Sequence, residues 1–350
     1  MMKLTVGMDL GKRRSQVSVR NERGDETSNV RIDTSVAGLT EYFGKLPAAR
    51  VLVEAGTPVR WIQKLLVKLK HEVIVADPNF LPMYVDEKSK RKKTDKRDAS
   101  LLSQALFKNN YRIAHLRSET EQIRKTLVDT RARLVADRTK HINGVRAVLS
   151  QWGQPSTGCD PTNFEKMADP LLRELPKELQ FSVRLELKVL RDLNTKIRQL
   201  DRQITKDAKS SPAIKRLMTL PGVGAITATT FVATIDDPRR FGDGHELASY
   251  MGLAPSEMSS GERRVLGHIT KRGPRYLRSL LVQVAWAIVR TKDPDSAHLK
   301  AWAECIAGRR GKRISVVALA RKVGGILLSM WKNEQEFSPT WASRQKQSAA

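Results

Sequence analysis

The chain has 350 residues, with 63 Lys and Arg against 37 Asp and Glu, a net charge of +26, and 40% hydrophobic residues. The apolar content supports packed cores and excludes global disorder, the length corresponds to two or three domains, and the charge asks for a polyanionic partner, nucleic acid first. The two cysteines, Cys159 and Cys305, lie too far apart in sequence for a CxxC zinc site or a disulfide framework and suit a reduced, cytoplasmic setting. Charge interrupts the opening apolar stretch at Asp9, and the longest apolar run, residues 280–289, is about half a membrane span, so neither a signal peptide nor a membrane segment is expected.

Residues 4–10 read as a buried strand ending at Asp9, residues 15–20 as an alternating strand, 21–25 as a turn and 30–32 as a third strand. Helical spacing follows over 34–46, then a short strand at 51–54, a helix over 58–70 and a strand at 73–76. Three early strands followed by helix–strand repeats predict a mixed sheet with helices on it. Residues 88–97 are dominated by Lys and Arg, and a helix is expected over 94–108.

The middle differs. Ile123, Leu127, Leu134, Ile142, Val145 and Leu149 recur at helical spacing, a Gly/Pro-rich break spans 153–170, and Leu190, Leu193, Ile197, Leu200 and Ile204 repeat as 3-4-3-4. That repeat is a coiled-coil seam, so two long helices are expected to form an arm, with a plain packed helical hairpin as the alternative. The last third holds a glycine-rich corner at 220–228, a Gly/Ser/Arg-rich loop at 256–273, a helix over 276–289, a basic turn at Arg309, Arg310, Gly311, Lys312 and Arg313, and a final helix to Trp331. The polar tail beyond Ser338 is expected to lack fixed structure. The boundaries expected are 1–115, 116–206, 207–335 and a tail of 336–350.

Four acids stand out by position. Asp9 and Glu54 end predicted strands, and Asp95 and Asp98 lie three apart on one helix face inside a basic segment. Gathered together, such carboxylates repel unless cations hold them. Two Mg²⁺ ions roughly 4 Å apart would do so and would activate an oxygen nucleophile for attack on phosphate. Taken singly, Asp95 also suits a helix first turn and Asp9 a turn before Gly11.

The segments Met8-Asp9-Leu10-Gly11-Lys12, Val53-Glu54-Ala55-Gly56-Thr57 and Lys93-Thr94-Asp95-Lys96-Arg97-Asp98-Ala99 resemble those of the DEDD insertion-sequence transposases, the bridge-RNA-guided serine recombinases. The resemblance extends over residues 4–330. It implies an RNase H-like (RuvC-like) α/β N-terminal domain, a long coiled-coil arm and a mostly α C-terminal domain bearing a catalytic serine and a helix-hairpin-helix element. In the Gly252-Leu253-Ala254-Pro255 context the serine before glycine is Ser260, with Ser259 one residue away as fallback. Glu262, Arg263 and Arg264 follow Gly261 where the family has small residues. The resemblance further implies metal-assisted attack by that serine in a site assembled between subunits, a guide RNA that pairs with donor and target DNA, and a dimer that becomes a tetramer at synapsis.

The residues themselves add a nucleic-acid surface. Gly222 and Gly224 would let backbone N–H groups approach a phosphate, although a packing turn would use the same glycines. Lys90, Arg91, Lys92, Lys93, Arg263, Arg264, Lys271, Arg272, Arg309, Arg310, Lys312 and Arg313 form the basic patches expected to contact double-stranded DNA. With 5% aromatic residues, base stacking is not expected to dominate. Two rival functions stay open on the sequence alone: a metal-dependent, junction-resolvase type nuclease, and a non-catalytic nucleic-acid-binding protein.

Overall fold

The computed structural model describes residues 4–81, 94–154, 158–257 and 266–339. The chain divides after Leu116 into two compact units.

The first unit is a five-stranded mixed sheet in the order β3-β2-β1-β4-β5, built from β1 (Leu4–Asp9), β2 (Arg14–Arg20), β3 (Glu26–Asp33), β4 (Ala49–Glu54) and β5 (Glu72–Ala76). The pairs β1–β2 and β2–β3 are antiparallel, while β1–β4 and β4–β5 are parallel. Helices cover both faces, which is why the central strands read as nearly continuous apolar runs. On one face Val6, Met8, Val17, Val51, Val53 and Val75 pack with Leu39 and Phe43 of α1 (Val36–Phe43) and Ile62 and Leu66 of α2 (Val59–Lys68). The other face carries Leu52, Ile74 and Ala76 against Leu102, Ala105 and Leu106 of α3 (Asp95–Phe107). This α/β arrangement is consistent with the expected RuvC-like domain. The strand expected at 30–32 begins earlier, because the polar residues Glu26, Ser28 and Asn29 still pair along β2.

The second unit is mostly helical. Its first part is an antiparallel hairpin of α4 (Glu119–Gln151) and α6 (Lys177–Ser210), with α5 (Phe164–Leu171) between them. The direction follows from the cross-pairs Arg124–Asp207, Arg131–Asp201 and His141–Glu186. The predicted seam is buried at Leu190, Leu193, Ile197 and Ile204. Ile123, expected in the same interface, instead lies exposed; near that end of the hairpin Arg124 pairs with Glu121 and Asp207, so a polar group takes the inward position. Burial pushes the Glu121 carboxyl up, an effect opposed by Arg124.

The remaining helices are α7 (Pro212–Leu217), α8 (Ala225–Ile235), α9 (Gly244–Tyr250), α10 (Arg275–Arg290), α11 (Ala297–Arg310) and α12 (Lys312–Lys332). Their core includes Phe231, Leu247, Leu281, Leu319, Val323 and Leu327. Among the described residues α12 is the one helix long and apolar enough to cross a membrane, and most of its large apolar side chains lie in this core, Ile314 excepted. A short hairpin, β6 (Pro255–Glu257) with β7 (Leu266–Ile269), occupies part of what reads as loop in the sequence.

Candidate functional site

Asp9 and Glu54 end adjacent parallel strands. The register Gly7↔Leu52 and Met8↔Val53 carries on to place Asp9 beside Glu54 at the carboxyl edge of the sheet. Side chains alternate along a strand, so Asp9 shares a face with Gly7, and Glu54 with Leu52. That is the face covered by α3. Open α/β sheets place their ligand sites at this edge. Asp98 enters from α3, whose first residue follows the N-cap Thr94; the Thr94 hydroxyl accepts a bond from the Arg97 amide at 3.3 Å. Asp98 is buried at 4% exposure, in the first turn where the helix dipole favours a carboxylate.

Asp95 behaves differently. Its carboxylate lies 3.5 Å from the Arg31 guanidinium on β3 and is largely exposed. Arg31 is aligned with Gln16, and Gln16 with Asp9. Asp95 is therefore drawn toward a strand two removed from Asp9, roughly 10 Å across the sheet.

A polar clamp that the sequence did not announce sets α3 on the sheet. Ser18 and Ser103 hydroxyls meet at 2.8 Å in a buried contact, and the Arg20 Nε donates to Ser103 at 2.9 Å. Ser18 and Ser100 also donate to Glu26, at 2.7 and 3.2 Å. Burial pushes the Glu26 carboxyl up, but bonds from Ser18, Asn29 and Ser100 outweigh it and hold the group below its ordinary value. Gly7 makes the approach possible: a Cβ there would stand 2.1 Å from the Ser103 amide nitrogen and 2.3 Å from the Ala99 carbonyl. The only sequence trace of this clamp is a run of small residues, Ala99, Ser100 and Ser103, on one side of the helix.

In the second unit the candidate positions sit at chain reversals. Gly222 has φ +84° and faces Ala287 and Val284, whereas a Cβ on Gly224 would meet nothing within 4 Å. Both glycines are exposed, and Gly224 is the N-cap of α8. Further on, Gly252 at φ +67° and Gly273 at φ +102° let two backbone segments touch: their Cβ atoms would lie 2.0 Å from the carbonyls of Arg272 and Tyr250. The Lys271 amide bonds the Gly252 carbonyl at 3.1 Å, and Lys271 itself has φ +55°. Lys271 and Arg272 are exposed beside this corner, and Arg309, Arg310, Lys312 and Arg313 are exposed around Gly311. Glu257 and Leu266 pair at the end of the β6–β7 hairpin. Ser259, Ser260, Arg263 and Arg264 lie outside the described residues, as do Lys90, Arg91, Lys92, Lys93 and the tail from residue 340.

Residues 6–153 match the DEDD transposase domain of IS110 elements, and residues 214–300 match the transposase IS116/IS110/IS902 family. A Pseudomonas aeruginosa protein named "Probable family 20 transposase" is 30% identical over 349 residues, covering 95% of this chain and 98% of that protein. The chain belongs to the IS110/IS116 transposase family. The transposase for insertion sequence element IS1328 of Yersinia enterocolitica is 26% identical over 92% of this chain and 94% of its own length. The transposase for element IS1111A of Coxiella burnetii is 28% identical over 73% of this chain and 71% of its own length. Within this family member, the first match spans nearly all of the sheet, α3 and the whole of α4, and the second runs from α7 into α11.

A DEDD transposase domain implies a divalent metal, typically Mg²⁺. The donor chemistry fits a hard cation, since Asp9 and Glu54 offer carboxylate oxygens at one sheet edge and Asp98 another from the helix over the same face. Among the described residues, however, no three His, Cys, Asp or Glu side chains come close enough together to hold an ion. The backbone placement therefore suits a metal, while the side chains do not draw into a ligand shell.

Proposed function

We propose that the chain cuts and rejoins DNA strands in transposition of an insertion sequence through a phosphoserine intermediate at Ser260. The observation that carries this reading is the placement of Asp9 beside Glu54 at one sheet edge, with Asp98 buried on the helix that covers the same face, in a chain related over nearly its whole length to transposases. Asp9, Glu54 and Asp98 would hold Mg²⁺, two ions in the full site, with Asp95 joining once it leaves Arg31. Bound there, the metal supplies neutralisation of phosphate charge and activation of an oxygen nucleophile.

Ser260 Oγ forms a bond to the scissile phosphorus as a phosphorus–oxygen bond of the strand breaks. The serine proton leaves to solvent or to the freed strand oxygen. The ester keeps the energy of the phosphodiester, so an incoming strand hydroxyl can displace the serine without ATP. Arg272, Lys271, Arg263 and Arg264 are the cations suited to the phosphate charge that develops. Gly222 and Gly224 start a helix-hairpin-helix element whose open backbone contacts a duplex phosphate, an arrangement supported by the exposed N-cap of α8. Lys90, Arg91, Lys92, Lys93, Arg309, Arg310, Lys312 and Arg313 add backbone contact to donor and target duplexes.

Sequence choice falls to a guide RNA from the element's own non-coding end, as the resemblance to the bridge-RNA-guided recombinases implies; basic patches suited to phosphate contact accord with that division of labour. The arm of residues 116–206 and the region 207–335 act as separate functional parts. The protein acts as a homodimer that pairs into a tetramer at synapsis, in the bacterial cytoplasm on the nucleoid.

The test is a denaturant-resistant protein–DNA adduct. Wild-type protein with Mg²⁺ should form it, and Ser260→Ala should lose it by about a hundredfold or more. Cleavage undiminished in Ser260→Ala would instead identify a water-using nuclease. DNA processing unaffected by Asp9→Ala would leave a binding protein.

A further inference from the structure

Apart from both candidate sites, the helical unit contains a cavity of about 710 Å³ bordered by the 242–245 segment, α11 and α12. Two glycines let the walls approach at one side: a Cβ on Gly244 would stand 3.3 Å from the Cα of Gly325. One wall is apolar, with Trp302, Ile306, Ile326 and Leu328.

The charged lining is cationic. Arg321, Lys322 and Lys332 face the space together with His245 and His298, and the lining carboxylate is Asp243. Asp243 is already committed, accepting bonds from the amides of His245 and Glu246 at 2.8 and 2.9 Å as the cap of α9. Lys332 is turned to the carbonyls of Phe241 and Gly242. Arg321 donates to His245 Nδ1 at 2.7 Å, which leaves the rest of its donor fork without a partner among the described residues.

Lys322 is the informative residue. Its ammonium lies 4.9 Å from the centre of the Trp302 ring. Among the described residues it forms no ion pair, and burial pushes its pKa down. A half-buried ammonium without a carboxylate carries a desolvation cost that an incoming anion would relieve. The neighbouring His298 ring is kept toward its neutral form by burial and by Lys322, and its Nε2 makes no hydrogen bond among the described residues.

We propose that this cavity binds one unpaired nucleotide, its phosphate on Arg321 and Lys322 and its base against Trp302. The cavity lies within the size range of small-ligand pockets, and cations beside an indole match a phosphate joined to a flat ring. The nucleotide is either free or the unpaired residue of a nucleic-acid strand; both present the same phosphate and base. The inference deepens the nucleic-acid reading above and rests on it.

The experiment uses the full chain with two probes, AMP and a 5′-phosphorylated single-stranded oligonucleotide carrying one 5-bromouracil. Affinity is measured for each, and ultraviolet crosslinks are mapped by mass spectrometry. Crosslinking should fall on the peptide containing Trp302. Lys322→Met and Arg321→Met should each weaken binding about tenfold, with Lys322→Arg restoring most of it. Tight AMP binding that the strand does not compete would assign a free nucleotide, and displacement of AMP by the strand would assign an unpaired strand residue; both support the cavity's role. Unchanged affinity for both probes in Lys322→Met with an unchanged melting temperature, or crosslinks that all fall away from α11 and α12, would overturn it. Failure of the strand-cleavage reading is separately visible, as absence of the Ser260 adduct in wild-type protein.

Discussion

The two units carry their candidate groups in opposite ways. In the first, carboxylates stand on regular elements, at the ends of β1 and β4 and in the first turn of α3, and the backbone beneath them is ordinary. In the second, the corresponding positions sit at corners where the backbone itself is special, with positive φ at Gly222, Gly252, Lys271, Gly273 and Gly311. The first unit would thus separate chemistry from support, with regular strand and helix backbone beneath each carboxylate. The second merges them, because the residues that shape the corner also present it.

The largest effect expected from this contrast is on Asp98. Asp98→Asn should lower Mg²⁺-dependent adduct formation by about a hundredfold, some 2.7 kcal/mol of transition-state stabilisation, while the melting temperature stays close to wild type. A large loss of stability would show that the carboxylate is part of the support after all. Gly252→Ala should do the reverse. Its Cβ would meet the Arg272 carbonyl at 2.0 Å in a left-handed conformation, so denaturant unfolding should report a loss of about 3 kcal/mol.

A smaller effect is expected in the pH dependence of the first unit. Glu26 is held below its ordinary value of 4.5, so it contributes stability above that pH and loses it as the pH falls through the lower, folded value. Ser18→Ala removes one of the bonds responsible and should move the acid-unfolding midpoint upward; an unmoved midpoint would remove Glu26 from the clamp. The smallest stability change belongs to Gly224→Ala. Nothing lies within 4 Å of its Cβ position and its φ is −91°, so the cost should be a few tenths of a kcal/mol. Duplex binding in a filter or anisotropy assay should nevertheless weaken, since the methyl group crowds the open helix start. Unchanged binding would make that corner a packing turn.

Much of this contrast was legible beforehand. The expected helix of 94–108 is α3 at 95–107 with Thr94 as its cap, because a threonine before an acidic first turn is a strong local signal. The apolar strands were equally plain, and the carboxylates at their ends followed. What lay hidden depended on partners distant in sequence. Arg31 capturing Asp95, Arg124 displacing Ile123 from the hairpin seam, and Ser18 meeting Ser103 are all contacts that no window of neighbouring residues contains. The cavity beside Trp302 is a further case, since its lining joins residues 242–245 to residues 298–332.

The Ser18–Ser103 contact also bears on the order in which the first unit assembles. It closes a span of 85 residues, and its hydroxyls and the Arg20 guanidinium gain their partners only when α3 arrives on a sheet already formed. Chain closure over such a span is slow to win back its entropy, so the hairpin of β1, β2 and β3 would form early and α3 would dock late. The same order run backwards makes α3 the first piece to lift away. In amide exchange its protection should then fall below that of β1, and Asp98 would be the carboxylate that comes and goes.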